Sequence, residues 1–132
     1  MGLGTRTVNT TDREASGIFM CKDNFMKVSI LGTEYDIHKK DTQEDEKLED
    51  RDGYCDSSVK QIVICNLISS RDSKKDLEKV RKNIIRHEII HAFLYESGLD
   101  VNSDWGTDET LVDWIALQFP KLEEAFKTAD CL

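Results

Sequence analysis

The sequence lacks a hydrophobic run long enough to cross a bilayer, which takes about 20 apolar residues in succession. The only apolar run in its N-terminal segment, residues 18–21, is shorter than the roughly 7–15 apolar residues of a signal-peptide core. A C-x-x-C pair is also lacking, and the four cysteines, Cys21, Cys55, Cys65 and Cys131, show no regular spacing. We therefore expect a cytoplasmic protein with reduced thiols, with Cys65 packed in a strand. A Cys55–Cys65 bridge across a hairpin is the alternative.

Positive charge is also in short supply, because 26 Asp and Glu residues outnumber 18 Lys and Arg residues and give a net charge of −8. This balance argues against the phosphate backbone of nucleic acid as a partner. The charge is unevenly distributed: residues 71–86 hold seven basic residues and three acids, whereas residues 96–113 hold six acids and no Lys or Arg. Both stretches are typical of solvated surface, but the acidic one also offers carboxylates to a cation.

The length of 132 residues fits a single domain. Residues 1–25 are polar and lack a sustained apolar period, so we interpret them as an N-terminal tail or extension of a domain spanning residues 26–132. Two β-hairpins are predicted, over residues 27–38 and 53–65, and the β-branched run at 59–65 is the clearest strand. With helices after them, the order predicts an α+β fold: a small antiparallel sheet packed on a central helix, plus C-terminal helices.

Three helices are predicted after the second hairpin. The first begins at an N-cap supplied by Asp72 or Ser73 and ends at Gly98, which suits the left-handed position after a helix. Its last three turns are apolar on two sides, so we expect them to be buried. A second helix is predicted over Glu109–Gln118, and Pro120 suits the first turn of a short third helix.

The first helix carries the motif H-E-x-x-H at His87-Glu88-Ile89-Ile90-His91. Residues four apart on a helix lie one above the other, with Cβ atoms about 5–6 Å apart. Two imidazoles at this spacing can bind one metal ion at the Zn–N distance of about 2.0–2.1 Å. Glu88 directly follows His87 and can contact a metal-bound water, as in a zinc hydrolase that uses water as its nucleophile. The alternative is a core helix with two incidental histidines.

A catalytic zinc site usually needs a third protein ligand and an open position for water. The metzincin pattern would place Gly and His where the chain has Leu94 and Ser97, so that class is excluded. The third ligand should therefore be an acid downstream of the motif. Glu96 is rotated off the ligand side of the helix, while Asp100 and Asp104 in the following loop remain candidates.

Glu109 and Asp113 are the other candidates, at positions i and i+4 in the first turns of the next helix. This spacing lets Glu109 reach the metal while Asp113 accepts the Nδ1–H of a ligating histidine, which would fix the orientation of the imidazole. One pair of acids thus meets two requirements of the site.

H-E-x-x-H followed on the next helix by E-x-x-x-D resembles the gluzincin class of zinc peptidases. The resemblance implies Zn²⁺ ligands at His87, His91 and Glu109, a general base at Glu88 and a supporting role for Asp113. Over residues 53–120 the chain is also similar to small ImmA/IrrE-type metallopeptidases and to minimal zincins of phage and prophage genomes. The similar segments are the strand at 62–64, the motif helix, and residues 108–109 and 114–116.

The expected function is that of a zinc-dependent metallopeptidase acting on a peptide or protein. Glu88 would take a proton from the metal-bound water and deliver it to the leaving amine. Ile62, Val63 and Ile64, if their strand lies at the sheet edge, would pair with an extended substrate. The chain has no assured counterpart of the His or Tyr that steadies the oxyanion in large gluzincins; the candidate substitutes, none with a spacing that recommends it, are Tyr35, Tyr54, Tyr95 and His38. The alternative is therefore a non-catalytic or weakly catalytic zincin-fold protein that binds a protein partner.

Overall fold

The computed structural model describes residues 25–66 and 76–132. The strands are β1 (Phe25–Ile30), β2 (Thr33–Lys40), β3 (Gly53–Asp56) and β4 (Gln61–Cys65), with a 3-10 helix at Glu46–Leu48 before β3. The α-helices are α1 (Leu77–Glu96), α2 (Leu99–Asn102) and α3 (Glu109–Thr128). The predicted α+β class is confirmed. Within the described ranges, no helix is both long and apolar enough to cross a membrane.

Two sequence predictions fall on the segments that are not described. The tail predicted over residues 1–25 lies outside the described residues, except for Phe25, which begins β1. The predicted N-caps Asp72 and Ser73 lie outside them as well. The described helix α1 begins at Leu77, and its N-cap is Asp76, whose carboxylate accepts a hydrogen bond from the Lys79 backbone.

The sheet consists of the two predicted hairpins joined side by side in the order β1-β2-β4-β3. The first hairpin turns through Leu31 and Gly32, whose φ angles of 50° and 89° suit the tight turns that connect twisted strands. Each hairpin is antiparallel, but β2 and β4 run parallel where the hairpins meet, with Ile37 opposite Ile62. The sheet is therefore mixed, not antiparallel throughout as expected.

Strand β4 lies inside the sheet, between β2 and β3. Ile62, Val63 and Ile64 are each 0% exposed, because this most apolar strand is covered on both faces. The condition under which these three residues were expected to pair with a substrate, a position at the sheet edge, is therefore not met. The edge on that side is β3, which in the described part of the chain pairs with β4 alone.

Helix α1 packs against the sheet and places the motif beside β3. Ala92 lies in the main core cluster with Ile62 and Ile64. Gly53 makes the close approach of helix and edge strand possible, since a Cβ there would lie 3.0 Å from Ile84 Cγ2 and 3.0 Å from the Val63 carbonyl. The same approach brings the next turn of α1, with the H-E-x-x-H residues, to the β3 edge.

The thiols agree with the expectation of reduced cysteines. Cys65 is buried in β4, packed with Val63 and Leu48. Cys55 and Cys131 are free thiols too, so the Cys55–Cys65 bridge is not formed. Cys21 lies outside the described residues.

The C-terminal end of α1 is more exposed than predicted. Gly98 adopts the expected left-handed conformation at φ 82°, just after Ser97 caps the helix. However, Phe93 and Tyr95 are 42% and 40% exposed. Tyr95 faces an open cavity and not the core, which explains the difference on its side of the helix.

Helix α3 runs without interruption through Pro120, so the predicted division into two helices is wrong. Proline has no N–H, and in a helix interior it leaves the carbonyl four residues earlier without its usual donor. That carbonyl belongs to Ala116, and Arg86 Nε donates to it at 2.7 Å. A side chain from α1 thus replaces the missing backbone donor and lets the helix continue.

Candidate metal centre

His87 and His91 lie one turn apart on α1, with ring centroids separated by 4.8 Å. Both side chains are mostly buried. The Nε2 atoms are 3.2 Å apart, so the two rings point at a common position. The i, i+4 spacing therefore produces the convergence that the sequence predicted.

Glu109 is brought to the same position by the start of α3. Asp108 caps this helix by accepting hydrogen bonds from the backbone N–H groups of Thr110 and Leu111. The preceding loop is tight at Gly106, where a Cβ would lie 2.1 Å from the Leu99 carbonyl oxygen. Any other residue at this position would force the loop before α3 to shift.

The three side chains form a group that could hold a metal ion. Glu109 Oε1 lies 3.0 Å from His87 Nε2 and 3.1 Å from His91 Nε2. Ligands in a tetrahedron with bonds of about 2.0–2.1 Å are separated by about 3.3 Å. The observed separations of 3.0–3.2 Å are within a few tenths of an ångström of that value, so the residues fit a small four-coordinate ion.

Asp113 supports the group from behind. Its Oδ1 lies 2.7 Å from His87 Nδ1, on the far side of the ring from the cluster. This hydrogen bond keeps the proton of a neutral imidazole on Nδ1 and leaves the Nε2 lone pair directed at the cluster. Glu109 and Asp113 therefore lie at different nitrogen atoms of His87, Glu109 at Nε2 and Asp113 at Nδ1.

Glu88 lies beside the cluster and is 7% exposed. The pKa of this carboxyl group is raised to about 7, mainly because the group is buried and also because the carboxylates of Glu109 and Asp113 lie nearby. His87 and Arg51 act in the opposite direction. A carboxyl group in this environment can accept and return a proton near neutral pH.

An open cavity of about 640 Å³, the metal cavity, contains His87, Glu88, His91 and Glu109 in its wall. Part of the opposite wall is Gly53–Cys55 of the edge strand β3. The pKa of the Cys55 thiol is raised to about 12, mainly by burial and also by the nearby Glu88 carboxylate. This thiol is therefore a packing group.

The alternative acidic ligands are placed differently. Asp100 is in the wall of the metal cavity but does not belong to the metal-binding group, and neither does Asp104. Glu96 is directed to the sheet, where it accepts hydrogen bonds from Tyr35 and Lys60. The structure thus brings Glu109, and not these three acids, to the histidines.

The candidate oxyanion residues divide into two pairs. The Tyr35 hydroxyl donates to Glu96, and the His38 ring contacts the Phe25 ring in a tilted arrangement at a centroid distance of 4.9 Å. Tyr54 and Tyr95 line the metal cavity, although the Tyr54 hydroxyl donates to Asp45.

Arg51 is a further polar group in this wall and the only cation among the described residues that line it. No pattern in the sequence distinguishes Arg51, because it lies within the charged stretch between β2 and β3. Nothing in its local pattern indicates that the chain returns to the motif helix.

Comparisons with known proteins identify no relative: no family model, no curated protein and no solved structure matches the chain.

Proposed function

We propose that this protein is a zinc-dependent metallopeptidase. The observation that carries the proposal is the convergence of His87, His91 and Glu109 within 3.2 Å of one another. Glu88 beside them and Asp113 behind them supply the two other groups that a hydrolytic site of this kind needs. The resemblance to gluzincins rests on these same five residues.

Zinc is the metal that this donor set favours. Two imidazole nitrogens and one carboxylate oxygen form the His₂Glu set of several catalytic zinc sites, which keep a fourth position for water. When bound, zinc lowers the pKa of coordinated water to about 7 and polarises the scissile carbonyl group.

Proton transfer and substrate binding would be carried out by groups of the protein itself. Glu88 takes the proton of the attacking water and passes it to the leaving amine. The exposed edge of β3, which forms one wall of the metal cavity, offers backbone groups to an extended peptide. This edge takes the place of β4, which the sequence had suggested for the same purpose.

The test is cleavage of a peptide library by the zinc-loaded full chain and by Glu88→Gln. We expect the substitution to lower the cleavage rate by about 10²–10⁴-fold, the usual contribution of general acid–base catalysis. Zinc binding should persist, because the three ligand residues are unchanged. Glu124→Gln, on the exposed side of α3, is the matched control and should cleave as the wild type does.

Cleavage that survives in Glu88→Gln, or that persists after removal of zinc by a chelator, would contradict the mechanism. If the wild type binds stoichiometric zinc, captures a partner stably and cleaves nothing, the chain is instead a binding protein that uses the same site.

A further inference from the structure

A second cavity of about 720 Å³, here called the flanking cavity, adjoins the metal cavity. Both are lined by Gly53, His87 and Glu88, so they meet at the centre of the proposed site. The metal cavity continues along α1 beyond His91, whereas the flanking cavity extends toward the N-terminus of the helix. A polypeptide bound across the site would therefore place residues in both cavities, on opposite sides of the reacting bond.

The flanking cavity has an apolar wall. Val80 and Ile84 lie on the side of α1 that leads to His87, one helical turn apart. Leu117 and Pro120 face them from α3. The space between the two helices can therefore take the hydrocarbon stem of a substrate side chain, which is removed from water there.

More cations line the flanking cavity than line the metal cavity. Apart from Glu88 and Asp113, which serve the proposed site, its charged residues are three cations and one acid: Lys79, Arg86, Lys121 and Asp52. Arg86 already donates to the Ala116 carbonyl. Lys79 and Lys121 are exposed on α1 and α3 respectively, so their ammonium groups are accessible from solvent.

In the wall of the metal cavity, acidic residues outnumber cations. Apart from Glu88 and Glu109, its charged residues are Asp50, Asp100 and Arg51. In addition, among the described residues no hydrogen-bond donor lies within reach of the buried Asp100 Oδ1. An acidic substrate side chain is therefore favoured in the flanking cavity over the metal cavity.

We propose that the flanking cavity is the specificity subsite of this protein and binds a substrate side chain with an apolar stem and a terminal carboxylate. Such a glutamate-like side chain would lie between α1 and α3 and end between Lys79 and Lys121. The preferred substrate is thus a peptide with an acidic residue next to the cleaved bond. This inference rests on the proposed peptidase function for its substrate class.

The experiment measures binding and cleavage separately. Short fluorescent alanine-based peptides carry Glu, Gln or Lys at one position, which is moved stepwise along the chain. Their affinities are measured by anisotropy on zinc-loaded Glu88→Gln, and their cleavage on the zinc-loaded wild type. At the best position we expect Glu to bind roughly tenfold more tightly than Lys, as two partly exposed ion pairs allow. The preference should shrink as salt is added.

The decisive variant is Lys79→Glu with Lys121→Glu, which should abolish or reverse the preference for Glu. Lys82→Glu with Lys127→Glu is the matched control, since it changes the net charge equally at two exposed positions of the same helices that line neither cavity. The control should keep the wild-type preference. Thermal unfolding of both variants verifies that they are folded.

The experiment distinguishes a failure of the peptidase proposal from a failure of the subsite proposal. If Glu peptides bind preferentially and nothing is cleaved, the peptidase function is wrong and the subsite stands. If no peptide binds, if cleavage shows no dependence on Glu, or if the Lys79/Lys121 variant keeps the preference, the subsite is wrong.

Discussion

At the scale of single residues, the candidate site depends on which atom of His87 carries the proton. The Asp113 carboxylate holds Nδ1 at 2.7 Å, which leaves Nε2 for the metal. Asp113→Asn keeps the size of the side chain but removes the charge and one acceptor oxygen. We expect zinc affinity to fall about 10–100-fold, the usual effect of losing such a partner.

Competition with a chromogenic chelator measures this affinity. Asp104→Asn makes the same change of charge on the exposed loop and should leave the affinity unchanged. Equal zinc affinities for the Asp113 variant and the wild type would show that the Asp113 contact does not orient the imidazole.

These residue-scale features could be predicted because they depend on spacing within helices. Glu88 and the two histidines share one helix, and Glu109 and Asp113 share another, so their relative directions follow from helix geometry. The position of Arg51 in the cavity wall could not be predicted in this way. It depends on how the segment between β2 and β3 folds back on α1.

At the scale of elements, the most informative difference concerns Pro120. Local pattern predicts a new helix there, because proline normally ends or kinks a helix. The donor that lets α3 continue is Arg86, which lies 30 residues before its acceptor Ala116 in the sequence. Propensity is a local quantity, and this contact exists only after α1 and α3 have packed together.

The contact between Arg86 and Ala116 gives a measurable prediction. Ala116 is fully buried, so Arg86→Leu leaves its carbonyl oxygen without the donor and should destabilise the protein by about 1–3 kcal/mol. In a Pro120→Ala background the restored N–H can donate to the same carbonyl, so the cost of Arg86→Leu should be smaller. The difference between the two costs is the coupling energy of a double-mutant cycle.

Urea unfolding of the four proteins measures the coupling between Arg86 and Pro120. Lys82→Leu, an exposed cation one turn away on α1, should be nearly neutral in both backgrounds. A cost of Arg86→Leu that is identical in the two backgrounds would show that the Arg86 side chain does not compensate for the proline.

At the scale of the whole molecule, the sequence located the hairpins and helices but not how they join. Each hairpin follows from local turns and alternation, whereas the parallel pairing of β2 with β4 links Asp36–Lys40 to Gln61–Cys65 across the intervening chain. Strand β4 was considered as an edge strand, but it lies inside the sheet and β3 forms the edge on that side. The continuous apolar run in β4 is typical of a central strand, which is buried on both faces.

Glu96 is the clearest example of a long-range connection in this fold. At the end of α1 it accepts hydrogen bonds from Tyr35 OH at 2.7 Å, Lys60 Nζ at 2.7 Å and Thr33 Oγ1 at 3.3 Å. It thus ties the motif helix to β2 and to the turn between β3 and β4. The hydrogen bonds from Lys60 and Tyr35 lower the pKa of the Glu96 carboxyl group below its ordinary value of 4.5.

This lowered pKa determines how Glu96 links stability to pH. The ionised form of Glu96 is more stable in the folded state than in the unfolded state, so the unfolded state binds the proton more readily. The contribution of Glu96 is therefore complete above the unfolded-state pKa and is lost as pH falls through the lower, folded-state pKa. Glu96→Gln should be less stable than the wild type at neutral pH, and the difference should shrink as the solution is acidified.

Urea midpoints of both proteins at about pH 7 and at about pH 3 measure this convergence. Glu124→Gln on α3 is the control and should track the wild type at both pH values, because it makes none of these connections to the sheet. A Glu96→Gln deficit that stays constant from neutral to acidic pH would mean that the charge of Glu96 does not hold α1 to the sheet. A convergence confined to the Glu96 variant would instead show that one ionised side chain couples the motif helix to the strands beneath it.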